Sequence, residues 1–164
     1  MLAAENSSSG QGNGGHQWLS RLIGDVQNLT QEIRQVTGRI QLENPASNDI
    51  VKARNLVKQL LALIEDRIIP RQADIREIAS ASGPTPNITK ELRDLRKSGR
   101  EALSAISVYE GTLGNEYRQR QGERRSNPRY SVDQKSLHKL HYEAFDKVDD
   151  LLEASKSFLR FISS

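Results

Sequence analysis

The chain has 164 residues and no Cys, with 24 Lys and Arg against 21 Asp and Glu for a formal charge of +3. This length suits one domain that buries its own core without covalent staples. The missing Cys excludes a disulfide and a thiolate nucleophile and fits a reducing compartment, while so small a charge excess does not by itself point to nucleic acid.

Residues 1–15 are almost entirely Ser, Gly, Asn, Gln and Ala. With little to bury and much backbone freedom, they read as a flexible polar tail, leaving 16–164 as a single helical-bundle domain. No basic stretch leads into an apolar run at the start, so a secretory signal is not expected. The strongest apolar run, Leu60 to Ile64, meets Glu65, Asp66 and Arg67 at once. A membrane span needs about 20 mainly apolar residues, so the expectation is a soluble, intracellular protein without a transmembrane segment.

Helical periodicity begins near Trp18 and Leu19. Leu22, Val26, Leu29, Ile33, Val36 and Ile40 advance by four and three residues, which keeps one seam facing a partner. The first helix is placed at about 16–42, ending before Pro45. Ser47, Asn48 and Asp49 can cap a second helix. Its inward line is Ile50, Ala53, Val57, Leu61, Ile64 and Ile68, with Leu56, Leu60 and Leu63 as a second apolar line. Pro70 interrupts this pattern, yet Ile75, Ile78 and Ala79 resume it. A kink near Ile68, or two helices in close succession ending by about Ser80, follows from the missing proline N–H. Gly83 to Pro86 form the connection.

The third helix runs from about 87 to 120 along Ile88, Leu92, Leu95, Gly99, Leu103, Ile106, Leu113 and Tyr117, with Ala102 and Tyr109 beside the line. Gly99 suits a close helix approach. Gly111 and Gly114 each cost about 1 kcal/mol relative to Ala, so fraying or bending is expected there. Residues 122–130, rich in Gly, Arg, Asn, Ser and Pro, read as an exposed loop. Ser131 and Gln134 have capping-box spacing. The fourth helix extends to about 162 through Leu137, His141, Ala144, Val148, Leu151, Ser155, Phe158 and Ile162, with Phe161 outside the stripe. The fold expected is all-α, an elongated antiparallel four-helix bundle with a kink or break near Pro70.

Catalytic chemistry finds no constellation. His138 and His141 lie three apart on one helix without a third ligand at a telling spacing, so they read as packed or edge residues rather than zinc ligands. Asp146, Asp149, Asp150 and Glu153 form a solvated acidic face. Ser9 and Ser47 have no paired base, and the N-terminal glycines lack a Walker-type lysine. No enzyme, cofactor or metal is expected.

Surfaces are more informative. Arg118, Arg120, Arg124, Arg125, Arg129, Lys135 and Lys139 converge near the junction of helices three and four, diluted only by Glu123 and Asp133, for a net +5 over 118–139. Such a cluster suits an acidic protein segment, an anionic lipid surface or nucleic-acid phosphates. A second basic line, Lys90, Arg93, Lys97 and Arg100, would complement the acidic face within the chain. The apolar width of helix two and of the C-terminal end, Phe161 above all, favours a protein partner and a homodimer. The reading is a non-enzymatic interaction or adaptor module. Its alternative is a nucleic-acid-binding accessory subunit of a ribonucleoprotein complex that uses the basic junction.

Overall fold

The computed structural model describes residues 17–80, 87–126 and 134–163, with side chains described as far as Asn115 in the second stretch to end and Ile162 in the last. Its elements are α1 (Gln17–Arg39), α2 (Ser47–Leu63), a π-helical turn (Ile64–Ile68), a 3-10 turn (Ile69–Arg71), α3 (Gln72–Ser80), α4 (Ile88–Ser126) and α5 (Gln134–Ser163). The path from α2 to α3 is helical throughout and makes one arm of a compact four-helix bundle. Around the bundle α1 lies beside α2, α2 beside α4, α4 beside α5, and α5 beside α1.

The seams read from the sequence form one core. Leu22, Val26, Ile33 and Val36 of α1 meet Ile50, Ala53, Val57 and Leu60 of α2, together with Leu92, Leu95 and Ile106 of α4 and Val148, Leu151 and Phe158 of α5. Each large aliphatic side chain withdrawn from water contributes about 1.5–3 kcal/mol, which is why patterning and not capping governs this fold.

Contacts between arms fix the register. Arg67 bonds Asp25 at 2.7 Å, and Arg39 bonds Asp49 at 3.3 Å. Glu91 accepts from Ser157 at 3.1 Å, Lys147 pairs with Glu101 at 3.5 Å, and Tyr109 meets His141 at 3.0 Å. Arg54 pairs with Glu110 at 3.1 Å and Arg96 with Glu65 at 3.1 Å. In every set, residue numbers rise on one arm as they fall on the other.

Gly99 is buried where α4 crosses α2. A Cβ there would stand 2.9 Å from Leu61 Cδ1, so the close approach expected of this glycine is present. Around Pro70 the chain stays helical on both sides. The Ile69 N–H reaches back to Ile64 O, and the Gln72 N–H to Ile69 O. Widening to a π turn and then tightening to a 3-10 turn accommodates a residue with no N–H to give. Ile64, Ile68 and Ile75 all remain fully buried across the irregularity.

Several boundaries differ from the sequence reading. α1 stops at Arg39, and Asn44 takes a positive φ of 50°, a conformation Asn tolerates better than most residues. Ser47, Asn48 and Asp49 lie inside the first turn of α2 instead of capping it; Ala46 holds the cap position without a side-chain bond. α4 neither frays at Gly111 and Gly114 nor ends near 120 but continues to Ser126, so Arg124 and Arg125 belong to a helix and not to a loop. The strong helix formers Glu, Gln and Arg dominate that stretch and outweigh single glycines. The polar tail 1–15, the Gly83–Pro86 connection, Arg129 and Ser131 lie outside the described residues.

The apolar surplus is used internally. Leu56, Leu60 and Leu63 are buried, as are Leu151, Leu152, Phe158 and Ile162, while Leu159 and Phe161 are half-buried against the core. The homodimer expected from that surplus loses its ground in helix two. Among the described residues the large exposed hydrophobics are Val108 and Tyr142, at 52% and 57%.

Candidate functional site

The end of the bundle where α1 turns into α2, and where α5 begins, concentrates the features able to bind. Extending the α4–α5 register from Glu101–Lys147 and Tyr109–His141 sets Gln134 abreast of about position 115 on α4. The Arg54–Glu110 pair sets the start of α2 at nearly the same level. α4 nevertheless continues to Ser126, so residues 116–126 add roughly 16 Å of helix past the first turns of both neighbours. Arg118, Arg120, Arg124 and Arg125 stand on this backbone, although their side chains lie outside those described. Lys135 and Lys139 are exposed on the first turns of α5. The shared end thus gathers six of the seven basic positions singled out in the sequence; Arg129 is the one not described.

Below this extension lies a cavity of about 510 Å³. Leu42 and Pro45 from the α1–α2 connection, Leu113 and Gly114 of α4, and Leu137 and His138 of α5 line it, with Tyr109 at its base. Among the described residues nothing stands within 4 Å of where a Cβ on Gly114 would be. The cavity was not legible in the sequence because three segments distant along the chain build it. Pro45 and Asn44 were visible only as a turn signal.

Tyr109 and His141 form its polar foundation. Tyr109 is 1% exposed and His141 9%, and the phenol oxygen lies 3.0 Å from His141 Nδ1. Phe145 stacks edgewise on both rings, at centroid distances of 4.7 Å from His141 and 6.0 Å from Tyr109. Burial pushes the Tyr109 hydroxyl up to about 12, so the phenol keeps its proton. A phenol that donates to Nδ1 leaves the imidazole proton on Nε2, and one that accepts from Nδ1–H places it on Nδ1. His141 is held below its ordinary value, first by burial and then by the proximity of His138. It is a packed histidine. His138 Nε2 is 3.1 Å from Glu43 Oε2 but is not aligned for a hydrogen bond, so the contact gains strength only when the ring is charged.

The acidic face lies elsewhere. Asp146, Asp149 and Asp150 border a groove of about 850 Å³ between α4 and α5, shared with Arg100, Glu101 and Lys147. Desolvation and then the neighbouring carboxylates Asp146 and Asp150 raise the Asp149 carboxyl above its usual range. Arg100 does not neutralise this face: its guanidinium reaches Glu65 on the opposite flank at 2.7 Å, where Arg96 joins it. The hydrogen bond from Arg100, ahead of that from Arg96, holds Glu65 below the ordinary carboxylate range against a desolvation that opposes it. The ion pairs among the described residues run otherwise than the complementarity expected between the basic line of α4 and the acids of α5: Lys147 of α5 pairs with Glu101 of α4, and Lys90 pairs along its own helix with Asp94.

Phe161 sits half-buried on the core at the far end of α5 and is not part of the basic end. Among the described residues no group of three or more His, Asp or Glu is placed to hold a metal ion, and no helix is long and apolar enough to cross a membrane. Compared with known proteins, the chain matches no family model, no curated protein and no solved structure.

Proposed function

We propose that the chain is a non-enzymatic interaction module, an elongated antiparallel bundle that uses its basic end to hold an acidic segment of a partner protein. The observation that carries this reading is the run of α4 past the level where α2 and α5 begin, with four arginines on it. Arginines spaced along it supply forked, permanently charged donors suited to carboxylates. The opposed order of the inter-arm pairs supports the antiparallel form, which puts Lys135 and Lys139 at the same end and adds to the field.

The test uses defined probes with the full chain. A fluorescein-labelled Glu-rich peptide of 12 residues is compared with a 12-nucleotide single-stranded RNA and with vesicles of mixed zwitterionic and anionic lipid. Both the unmodified protein and a variant with Arg118, Arg120, Arg124 and Arg125 changed to Gln are titrated at near-physiological salt. Gln preserves helix propensity and removes the charge. The peptide is expected to bind the unmodified protein, and the variant at least tenfold more weakly, with unchanged helix content. Equal peptide binding by a folded variant would overturn the assignment of the site. RNA binding with a steep salt slope and no peptide binding would replace the acidic protein segment with nucleic acid.

A further inference from the structure

We infer that the cavity beside Tyr109 is the seat for one bulky apolar side chain of the acidic segment, so that the partner's motif is an aromatic or large aliphatic anchor followed or preceded by carboxylates. This rests on the reading just given and deepens it. The cavity and the basic turns are consecutive on one helix: Leu113 and Gly114 line the former, and 116–126 make the latter.

The chemistry of the walls selects the anchor. Leu42, Pro45, Leu113 and Leu137 offer aliphatic surface, and among the described residues no Lys, Arg, Asp or Glu lines the cavity. A charged group placed there would be desolvated without a counter-charge, at a prohibitive cost. An uncharged aromatic ring loses nothing by entering, and a volume of about 510 Å³ accommodates one without repacking the core. Ser47, Gln134 and His138 at the margin provide polar groups for the anchor's own backbone or for an indole N–H. A buried anchor ringed by charge contacts is the usual energetic layout of a protein interface, where the anchor carries affinity and the charges steer.

The register sets a spacing. An extended peptide advances about 3.3 Å per residue, so roughly five residues next to the anchor cover the roughly 16 Å of α4 beyond the cavity. Carboxylates are therefore expected within about five positions on one side of the anchor.

Gly114 supplies the deciding variant. It lines the cavity, and a Cβ there meets no described atom within 4 Å, so Gly114→Leu places its side chain at the cavity. Gly111, exposed and equally open but outside the cavity, supplies a control with the same gain in helix propensity.

The experiment measures anisotropy of two labelled peptides of 12 residues, identical in their Glu content, with a Trp or an Ala at one position. Unmodified protein is expected to bind the Trp peptide at least tenfold more tightly. Gly114→Leu should reduce that affinity to the level of the Ala peptide and leave the Ala peptide unaffected, while Gly111→Leu should keep the full preference. Equal affinity for the two peptides would overturn the cavity assignment and leave the basic-end reading standing. A preference that survives in folded Gly114→Leu would overturn it as well. Failure of both peptides to bind would overturn the basic-end reading and this inference with it. Should Gly114→Leu lose helix content, the comparison of the two peptides on the unmodified chain still decides.

Discussion

Tyr109 and His141 are separated by 32 positions in the chain and share one buried hydrogen bond. Removing the phenol oxygen leaves Nδ1 without its partner in a place water does not reach. Tyr109→Phe is therefore expected to cost about 1–3 kcal/mol of unfolding free energy in denaturant titration, more than the loss of an exposed hydroxyl would. The imidazole also carries a pH signature. Because its folded value lies below its unfolded one, the unfolded chain binds the proton more readily. His141 thus adds stability above its unfolded value of about 6.5, and that stability is withdrawn as pH falls through and below it. The rings of Tyr109, Tyr142 and Phe145 and the imidazole of His138 surround it, and no carboxylate among its described contacts compensates the charge. Melting temperature should fall from pH 7.5 to 5.5 in the unmodified chain and fall less in His141→Gln. An equal fall in both would show that the histidine is not the sensor. Sequence showed both residues at or beside a seam but not their partnership, because only the cross-arm register brings them together.

At the scale of elements, the arms were legible and their ends were not. The four-and-three spacing of Leu22, Val26, Ile33 and Val36 named the buried face of α1, and the same spacing kept Ile75 in phase with Ile64 across Pro70. Burial of a stripe leaves its mark along the whole helix, whereas a terminus depends on a few local preferences close in energy. Near Pro70 the path passes through a π turn and then a 3-10 turn, an order not encoded in any one residue. Looser ladders exchange faster, and amides of residues 66–69 and 71 should lose protection before those of 57–63 in hydrogen-exchange measurements. Uniform protection across 57–80 would contradict this arrangement. Gly99 is a clearer case, since its role as a contact point was readable from its place on the seam. Gly99→Val adds branched bulk against Leu61 and Ile64 and is expected to destabilise by about 1–3 kcal/mol in thermal or denaturant unfolding, even though Val is a better helix residue than Gly.

For the molecule as a whole, apolar residues and charges have separate tasks. The apolar faces of the arms are spent on a single core, and among the described residues the large exposed hydrophobics are Val108 and Tyr142. Ion pairs on the flanks, such as Arg67 with Asp25 and Arg54 with Glu110, tie arm to arm but are solvent-exposed or half-exposed and contribute modestly. The helix that carries the basic positions beyond 116 runs past the first turns of α2 and α5. Sequence revealed the charge of these positions, but read Arg124 and Arg125 as loop residues and gave no sign of the cavity beneath. The most direct test follows backbone amide resonances of the full chain during titration with the Glu-rich Trp peptide. Saturable shifts confined to residues 109–126, 134–139 and the α1–α2 connection are expected. Shifts centred on Phe161, on the acidic groove of α5 or nowhere at all would contradict the assignment of binding to the basic end.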